Sequence, residues 1–152
     1  HLTTTAKVPH RWAFEHDEIA FNYRMPNLNA ALGCSQLQEL DTRVAQKRRL
    51  AQRYIDAFAG MEGVTLVAEP AGSKSNYWLN ALRLETRDMA QRDQLLAALN
   101  DRQIMARPVW TLLHRLAIFA NCPKAELPVA EALETQLINI PSSAHLGKES
   151  EM

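Results

Sequence analysis

Residues 21–29 (FNYRMPNLN) contain more hydrogen-bonding side chains than the start of a helix requires. The amide of Asn22, the phenol of Tyr23 and the guanidinium of Arg24 stand just before a proline, a residue that suits the first turn of a helix. Such groups beside a helix N-terminus would suit a phosphate or a carboxylate. Ordinary helix capping would use the same residue types, so the spacing alone leaves both interpretations open.

A second group of polar and aromatic side chains lies at residues 107–114 (RPVWTLLH), which place a cation, an indole and an imidazole within eight residues. Arg107 could pair bidentately with a carboxylate or a phosphate, and Trp110 could stack on a planar ring or a sugar. His114 supplies the imidazole. The alternative is a structural role, as an edge strand restricted by Pro108 and carrying a packed tryptophan.

Outside these two groups, the signals for chemistry in the sequence are thin. It has no G-x-G-x-x-G, Walker, H-E-x-x-H or G-x-S-x-G motif. The five histidines, at positions 1, 10, 16, 114 and 145, do not have metal-ligand spacing, so we predict no metal site. His10 and His16 flank two aromatic residues and fit exposed loop positions.

The composition is that of one ordinary soluble domain. The 152 residues are 47% hydrophobic and 22% charged, which is enough to bury a core. Lysine plus arginine and aspartate plus glutamate each total 17, so the net charge gives no reason to expect nucleic acid or an anionic membrane. Cys34 and Cys122 are far apart, and neither a membrane-spanning run nor a signal peptide is visible. We therefore predict a reduced, cytoplasmic protein without nucleic-acid or membrane partners.

The elements that must position these residues follow from hydrophobic periodicity. A helical period from residue 28 to residue 59, with a possible N-cap at Asp41-Thr42, predicts two helices or one bent helix. Strands are predicted at 64–67, 76–85, 104–110 and 137–140, and further helices at 88–102 and 128–136. This order predicts an α+β fold, with helices packed on a small, mainly antiparallel sheet.

The segment 76–85 gives the clearest strand prediction, because its side chains alternate between two faces. The two sets are Tyr77, Leu79, Ala81 and Arg83 on one face, and Trp78, Asn80, Leu82 and Leu84 on the other. We interpret the part around Tyr77, Trp78 and Asn80 as sheet core rather than as a set of ligand contacts.

The two polar groups also carry a family resemblance. Residues 21–33 (FNYRMPNLNAALG), with Gln36-Leu37 after them, resemble the signature N-Y-R-M-x-x-x-x-A-A-x-G-x-x-Q-L of the DegT/DnrJ/StrS-type sugar aminotransferases. Residues 107–114, 127–131 (LPVAE) and 138–143 (INIPSS) resemble later landmarks of that family, closest to its legionaminic-acid-pathway branch. The resemblance extends from about residue 1 to residue 145.

The resemblance implies the small C-terminal domain of a fold-type I aminotransferase, a homodimer that holds pyridoxal 5'-phosphate in its large domain. Such enzymes move an amino group from glutamate to a nucleotide-linked keto sugar, in the biosynthesis of surface polysaccharides or nonulosonic acids. The implied divisions are a connecting segment at 1–26, linking helices at 27–60, the small domain at 61–146 and a disordered tail at 147–152.

The resemblance also implies that the chemistry needs residues outside this chain. The family's cofactor-binding lysine precedes the N-Y-R-M signature. The lysines of this chain, which do not match its motif, are Lys7, Lys47, Lys74, Lys124 and Lys148. The chain opens with His1 rather than methionine. We therefore expect a piece of a longer protein that is inactive by itself and holds no catalytic residue of its own.

Individual site residues also follow from the resemblance. Asn22 matches the family asparagine that reaches the cofactor phosphate of the neighbouring subunit, and Arg24 would join it at the cofactor. Tyr23 would face the substrate. The sugar pocket would be bordered by Arg107, Trp110 and His114. The alternative to an enzyme is a non-catalytic module that binds a nucleotide sugar or dimerises through the helices of residues 27–59.

Overall fold

The computed structural model describes residues 7–8, 15–16 and 25–148. Residues 1–41 and 42–152 form two compact units. In the first unit, β1 (Lys7–Val8) pairs antiparallel with β2 (Glu15–His16). Helix α1 (Asn27–Gln38) follows, and the carbonyl of Pro26 accepts its first backbone hydrogen bond from Ala30 N–H at 3.0 Å. No residue of α1 is buried.

Helix α2 (Leu40–Phe58) begins after a turn at Glu39. The break between the helices therefore falls before the predicted N-cap, and Asp41 lies in the first turn of α2. A carboxylate at that position complements the positive end of the helix dipole. The helix buries Leu50 and Ala51.

Four side chains of α2 hold the segment after residue 140 by donating to its backbone carbonyls. They are Lys47 to Ser142 at 2.6 Å, Arg49 to Gly147 at 3.1 Å, Arg53 to Leu146 at 3.2 Å and Tyr54 to Pro141 at 3.0 Å. A Cβ on Gly147 would lie 1.9 Å from the carbonyl oxygen of Gln46, so the backbone passes α2 at a distance that only glycine allows. Gly147, which the sequence assigns to the tail, is buried.

The second unit contains a four-stranded antiparallel sheet in the order β3-β4-β6-β5. Its strands are β3 (Val64–Leu66), β4 (Asn80–Leu84), β5 (Arg107–Pro108) and β6 (Leu137–Ile140). Helix α3 (Met89–Asp101) contacts β6, and helix α4 (Pro128–Gln136) contacts β4. This arrangement confirms the predicted α+β class, with helices on a small antiparallel sheet.

The core lies where the sheet meets the helices. Its buried members are Leu82, Leu84, Leu96, Ala106, Ile138 and Ile140, and Tyr54 and Phe58 of α2 pack against them. Ile138 is fully buried and stands opposite Leu82 across the pairing of β4 with β6. The central strands therefore carry most of the apolar contact of this unit. Tyr54 is only partly buried, and this burial raises the pKa of its phenol.

The start of β4 differs from the sequence prediction. The strand begins at Asn80 rather than at residue 76, because Tyr77 has a φ of 45°, in the left-handed region that a strand excludes. Tyr77 and Asn80 are buried, but Trp78 is 64% exposed. The assignment of Trp78 to the sheet core is therefore wrong.

Single residues explain two further boundaries. Asp88 caps α3 as predicted, since its Oδ1 accepts from Ala90 N–H at 2.8 Å. Strand β5 contains only Arg107 and Pro108 instead of residues 104–110. It lies at the edge of the sheet, where the missing N–H of proline removes no central ladder hydrogen bond.

Candidate functional site

The residues proposed from the sequence fall in two parts of the chain. Asn22, Tyr23 and Arg24 lie outside the described residues, and their assignments stay predictions. The second group lies in residues 107–114. There, Arg107 stands opposite Asn139 in the sheet, Trp110 stacks on Trp78, and His114 lies beside Glu131. No hydrogen bond, ion pair or ring contact joins these three to one another within the described part of the chain.

Trp78 and Trp110 form a stacked aromatic pair at the protein surface. Their ring centroids are 6.0 Å apart and their planes are inclined by 19°. The two residues are 64% and 68% exposed. Offset stacking is a favourable arrangement for two rings at this separation. Because both residues are exposed, the pair presents aromatic surface to a further planar group.

The loop before β4 holds Trp78 outward through hydrogen bonds. The N–H of Tyr77 donates to Ser75 Oγ at 2.9 Å, and the N–H of Trp78 donates to Asn76 Oδ1 at 3.0 Å. The Tyr77 hydroxyl accepts from Glu69 N–H at 3.1 Å. These bonds offset the left-handed φ of Tyr77, a conformation that costs a residue with a Cβ on the order of 1–3 kcal/mol.

The ion pair between Arg48 and Glu69 holds the same loop at Ser75. The Glu69 carboxylate accepts from both terminal nitrogens of Arg48, at 2.9 and 2.7 Å, and from Ser75 N–H at 2.6 Å. The same guanidinium donates to the Ser75 carbonyl at 2.5 Å and lies 5.7 Å from the centre of the Tyr77 ring. The hydrogen bond from Arg48, and then the one from Ser75, lower the pKa of Glu69 to about 2.

Lys47 joins the backbone of Trp78 to the sheet. Its ammonium donates to the Trp78 carbonyl at 3.0 Å and to the Ser142 carbonyl at 2.6 Å. The buried Ser142 hydroxyl accepts from Asn80 N–H at 2.8 Å and donates to the Ile140 carbonyl at 2.7 Å. Partial burial lowers the pKa of Lys47. The lysine therefore has a structural role, because it links three segments that are distant in the chain.

Helix α4 holds the segment that carries His114. Glu134 is buried, with Oε1 accepting from Leu112 N–H at 3.3 Å and Oε2 lying 2.7 Å from Arg115 Nη1. One turn earlier, Glu131 Oε1 lies 3.2 Å from His114 Nε2. Because residues three apart on a helix share a face, α4 anchors this segment at several points.

An open cavity of about 450 Å³ lies beside this segment. Leu112, Leu113, Phe119 and Leu127 supply much of its apolar wall, and His114 contributes an imidazole. Of the predicted site residues that the structure describes, only His114 lines the cavity. Its volume is in the range of sites for small organic ligands.

Metal sites and membrane segments are not found in the part of the chain that the structure describes. Within residues 7–8, 15–16 and 25–148, no group of three or more His, Cys, Asp or Glu side chains could hold a metal ion. Nor is any helix there long and apolar enough to cross a bilayer. Cys34 and Cys122 are both free and exposed.

The sequence pattern did not reveal the residues that position this site. The alternation of residues 76–85 placed Trp78 in the core, and its contact with Trp110 joins positions too far apart for a local pattern. A signal for α4 was available, because Glu131 and Glu134 have the spacing that puts two carboxylates on one helix face. That spacing alone does not say which side chains the carboxylates meet.

Comparison with known proteins gives a family match over nearly the whole chain. Residues 3–151 match the DegT/DnrJ/EryC1/StrS aminotransferase family. The chain is 33% identical over 128 residues to a GDP-perosamine synthase of Vibrio cholerae, an overlap of 84% of this chain and 35% of that protein. It is 37% identical over 110 residues to the putative pyridoxal phosphate-dependent aminotransferase EpsN of Bacillus subtilis, an overlap of 70% and 27%. The chain thus spans between about a quarter and about a third of the length of these relatives.

The fold is also found in a solved aminotransferase structure. The aminotransferase TlmJ from Streptoalloteichus hindustanus matches this chain with a TM-score of 0.75 at 24% identity. The match covers 88% of this chain and 36% of that one. The architecture of two helices followed by a small antiparallel sheet is therefore shared.

Proposed function

Because the chain belongs to the DegT/DnrJ/EryC1/StrS aminotransferase family, we propose that it is the C-terminal part of a pyridoxal-phosphate-dependent enzyme that aminates a nucleotide-linked keto sugar. The observation that carries the proposal is the family match over residues 3–151, which includes both polar groups found in the sequence. A relative that is a GDP-perosamine synthase supports the nucleotide-linked substrate and makes GDP-linked sugars the first to test.

The proposal extends to the donor, the pathway and the assembly. We propose glutamate as amino donor, and a role in surface polysaccharide or nonulosonic acid biosynthesis. The support is the resemblance of residues 107–114 and 138–143 to the legionaminic-acid-pathway branch. A cytoplasmic homodimer belongs to the same proposal.

Two lysines, Lys47 and Lys124, lie near the loop of Trp78 and the cavity. The ammonium of Lys47 already donates to two backbone carbonyls. Lys124 borders the cavity, whose wall offers no carboxylate to pair with a pyridine nitrogen. We propose that the cofactor-carrying lysine belongs to a part of the enzyme outside this chain, and that Asn22 and Arg24 contact the cofactor phosphate. Pyridoxal phosphate, when bound, supplies the electron sink for the transfer.

The proposed contacts of the sugar nucleotide are Tyr23, Arg107, Trp110 and His114. Trp110 is 68% exposed, so its ring is available to a ligand. Arg107 is exposed on β5 and can hold a phosphate bidentately. His114 lines the cavity, and its Nε2 lies 3.2 Å from Glu131 Oε1. The three of these residues that the structure describes, Arg107, Trp110 and His114, all belong to the second unit.

The test is the absorbance spectrum of the full-length protein that contains this chain, recorded with pyridoxal phosphate before and after glutamate is added. We expect a visible band from lysine-bound cofactor, which glutamate converts to the absorbance of pyridoxamine phosphate. Aspartate and alanine, added in place of glutamate, control for the identity of the donor. A full-length protein of confirmed mass that shows no band would contradict the proposal and favour the non-catalytic binding module.

A further inference from the structure

The stability of the fold does not explain why Trp78 and Trp110 stay at the surface. Large aromatic side chains contribute most when they are buried, yet these two are 64% and 68% exposed. An apolar patch that a folded protein leaves exposed commonly marks a binding site. The pair is therefore a candidate for a ligand that is itself flat and apolar on its faces.

The backbone of Trp78 is held on both sides while its ring remains open. Its N–H donates to Asn76 Oδ1 at 3.0 Å, and its carbonyl accepts from the Lys47 ammonium at 3.0 Å. The preceding residue, Tyr77, has a φ of 45°, and the Arg48–Glu69 ion pair supports it. Residues held in such conformations cluster at binding sites and switch regions.

Trp110 is positioned independently of Trp78. It follows β5, where Pro108 stands opposite Ile138 of β6. It precedes Leu112, whose N–H donates to the buried carboxylate of Glu134 at 3.3 Å. Two separately anchored segments therefore bring the indoles together. Rings that are already fixed lose little conformational entropy when a ligand stacks on them.

We propose that the Trp78–Trp110 pair is the stacking platform for the nucleobase of the sugar nucleotide, an inference that rests on the function proposed above. At 6.0 Å between centroids the two indoles contact each other, so the base adds as a third layer on an outer face. Stacking on an aromatic side chain recognises any base, because every base has a π-face. The platform therefore binds the base of the ligand and does not select which sugar is attached to it.

The test compares ligands with and without a base on the full-length protein. Dissociation constants for GDP, UDP and pyrophosphate are measured by titration calorimetry for the wild type, Trp78→Ala and Trp110→Ala. We expect each substitution to weaken both nucleotides by about 5- to 150-fold, the loss expected from one stacked base, and to leave pyrophosphate unchanged. Trp78→Phe keeps most of the affinity, and Trp78→Leu, which keeps bulk without a ring, loses it.

Val129→Ala is the matched control, because it removes an exposed apolar side chain elsewhere in the same unit. We expect it to leave all three dissociation constants unchanged. Nucleotide affinities that stay at the wild-type value in both alanine variants would overturn the platform. An equal loss of GDP and pyrophosphate affinity would also overturn it, since the pair would then support a surface between parts of the enzyme.

The spectrum with glutamate separates this inference from the proposed function. If glutamate converts the cofactor band but both alanine variants keep the wild-type nucleotide affinities, the stacking platform is refuted and the proposed function stands. A negative spectrum together with base-dependent binding keeps the platform, within a module that binds nucleotide sugars without catalysis.

Discussion

At the scale of single residues, the site depends on groups whose ionisation or conformation is set by their neighbours. Glu69 is the clearest case, because Arg48 and the Ser75 N–H lower its pKa from 4.5 to about 2. The carboxylate therefore stays ionised in the folded protein down to a pH at which an ordinary glutamate is protonated. It holds the loop that presents Trp78.

Glu69→Gln should remove a contribution to the stability of the fold that is present at neutral pH and lost in acid. A carboxyl whose pKa is lowered on folding stabilises the folded state above its ordinary value of 4.5, and this contribution is lost as the pH falls towards about 2. The variant should thus unfold at a lower temperature than the wild type at neutral pH, and the gap should narrow below pH 4.5. Thermal unfolding across a pH series measures this. Glu62→Gln, at an exposed glutamate, is the control, and a gap that does not depend on pH would contradict the assignment.

Asn22→Ala tests the cofactor contact implied by the family resemblance. In the full-length protein we expect it to weaken retention of pyridoxal phosphate by roughly 1–3 kcal/mol, the scale of a hydrogen bond lost from a charged group. Asn29→Ala removes an exposed amide from the same signature and should leave retention unchanged. Spectroscopic titration of the apoprotein with cofactor gives both values. An unchanged affinity in Asn22→Ala would refute the role of Asn22.

At the scale of elements, α4 is the part that positions the predicted His114. Two of its glutamates face the segment 112–115, but they differ in burial: Glu134 is buried and Glu131 is partly exposed. A carboxylate removed from a buried position leaves its former donors unpaired, whereas a surface pair contributes little. The two glutamates therefore form a matched comparison on one helix.

Glu134→Gln should destabilise the fold by about 1–3 kcal/mol, because the Arg115 guanidinium and the Leu112 N–H lose their charged acceptor. Glu131→Gln should change stability by less than about 1 kcal/mol. Chemical denaturation of both variants gives the free energies of unfolding. Equal effects from the two substitutions would show that the burial of Glu134 does not matter.

Elements whose own residues set their limits could be predicted from the sequence, and the others could not. Helix α3 starts at its Asp88 cap, and β4 alternates buried Leu82 and Leu84 with exposed Arg83, as expected. The loop that carries Trp78 is different, because the left-handed φ of Tyr77 is maintained by Arg48 and Glu69 from elsewhere. The stack of Trp78 on Trp110 depends in turn on that loop. Contacts between distant residues leave no periodic trace in a sequence.

At the scale of the whole molecule, segments that are distant in the sequence pack closely against each other, and this limits which substitutions the contact positions accept. Four side chains of α2 hold the segment 141–148 through five hydrogen bonds to its carbonyls, and Gly147 passes close to the backbone of Gln46. Backbone atoms cannot move aside as a flexible side chain can. We therefore expect this contact to tolerate no added atom.

Gly147→Ala should destabilise the chain by about 1–3 kcal/mol, the usual cost of forcing extra volume into a packed position. The new Cβ would lie 1.9 Å from the Gln46 carbonyl oxygen, so the segment 141–148 must move away from α2. Gly33→Ala is the matched control, because among the described residues no atom beyond its chain neighbours and the backbone of α1 itself lies within 4 Å of its Cβ position. It should be neutral or stabilising by up to about 1 kcal/mol. Thermal unfolding of both variants distinguishes them.

The strand order β3-β4-β6-β5 places β6 between β4 and β5, although it is the last of the four to be synthesised. A growing polypeptide therefore cannot complete the sheet until residues 137–140 have left the ribosome, and β5 has no strand to pair with before then. Until that moment Leu82 and Leu84 of β4 and Leu96 of α3 lack their buried neighbours Ile138 and Ile140. Apolar surface exposed in this way makes an incomplete chain prone to aggregate. Nascent chains arrested before residue 137 should be cut readily by protease in residues 64–110, whereas those extended well past residue 148 should resist. Early resistance would mean that the other elements fold without their central strand.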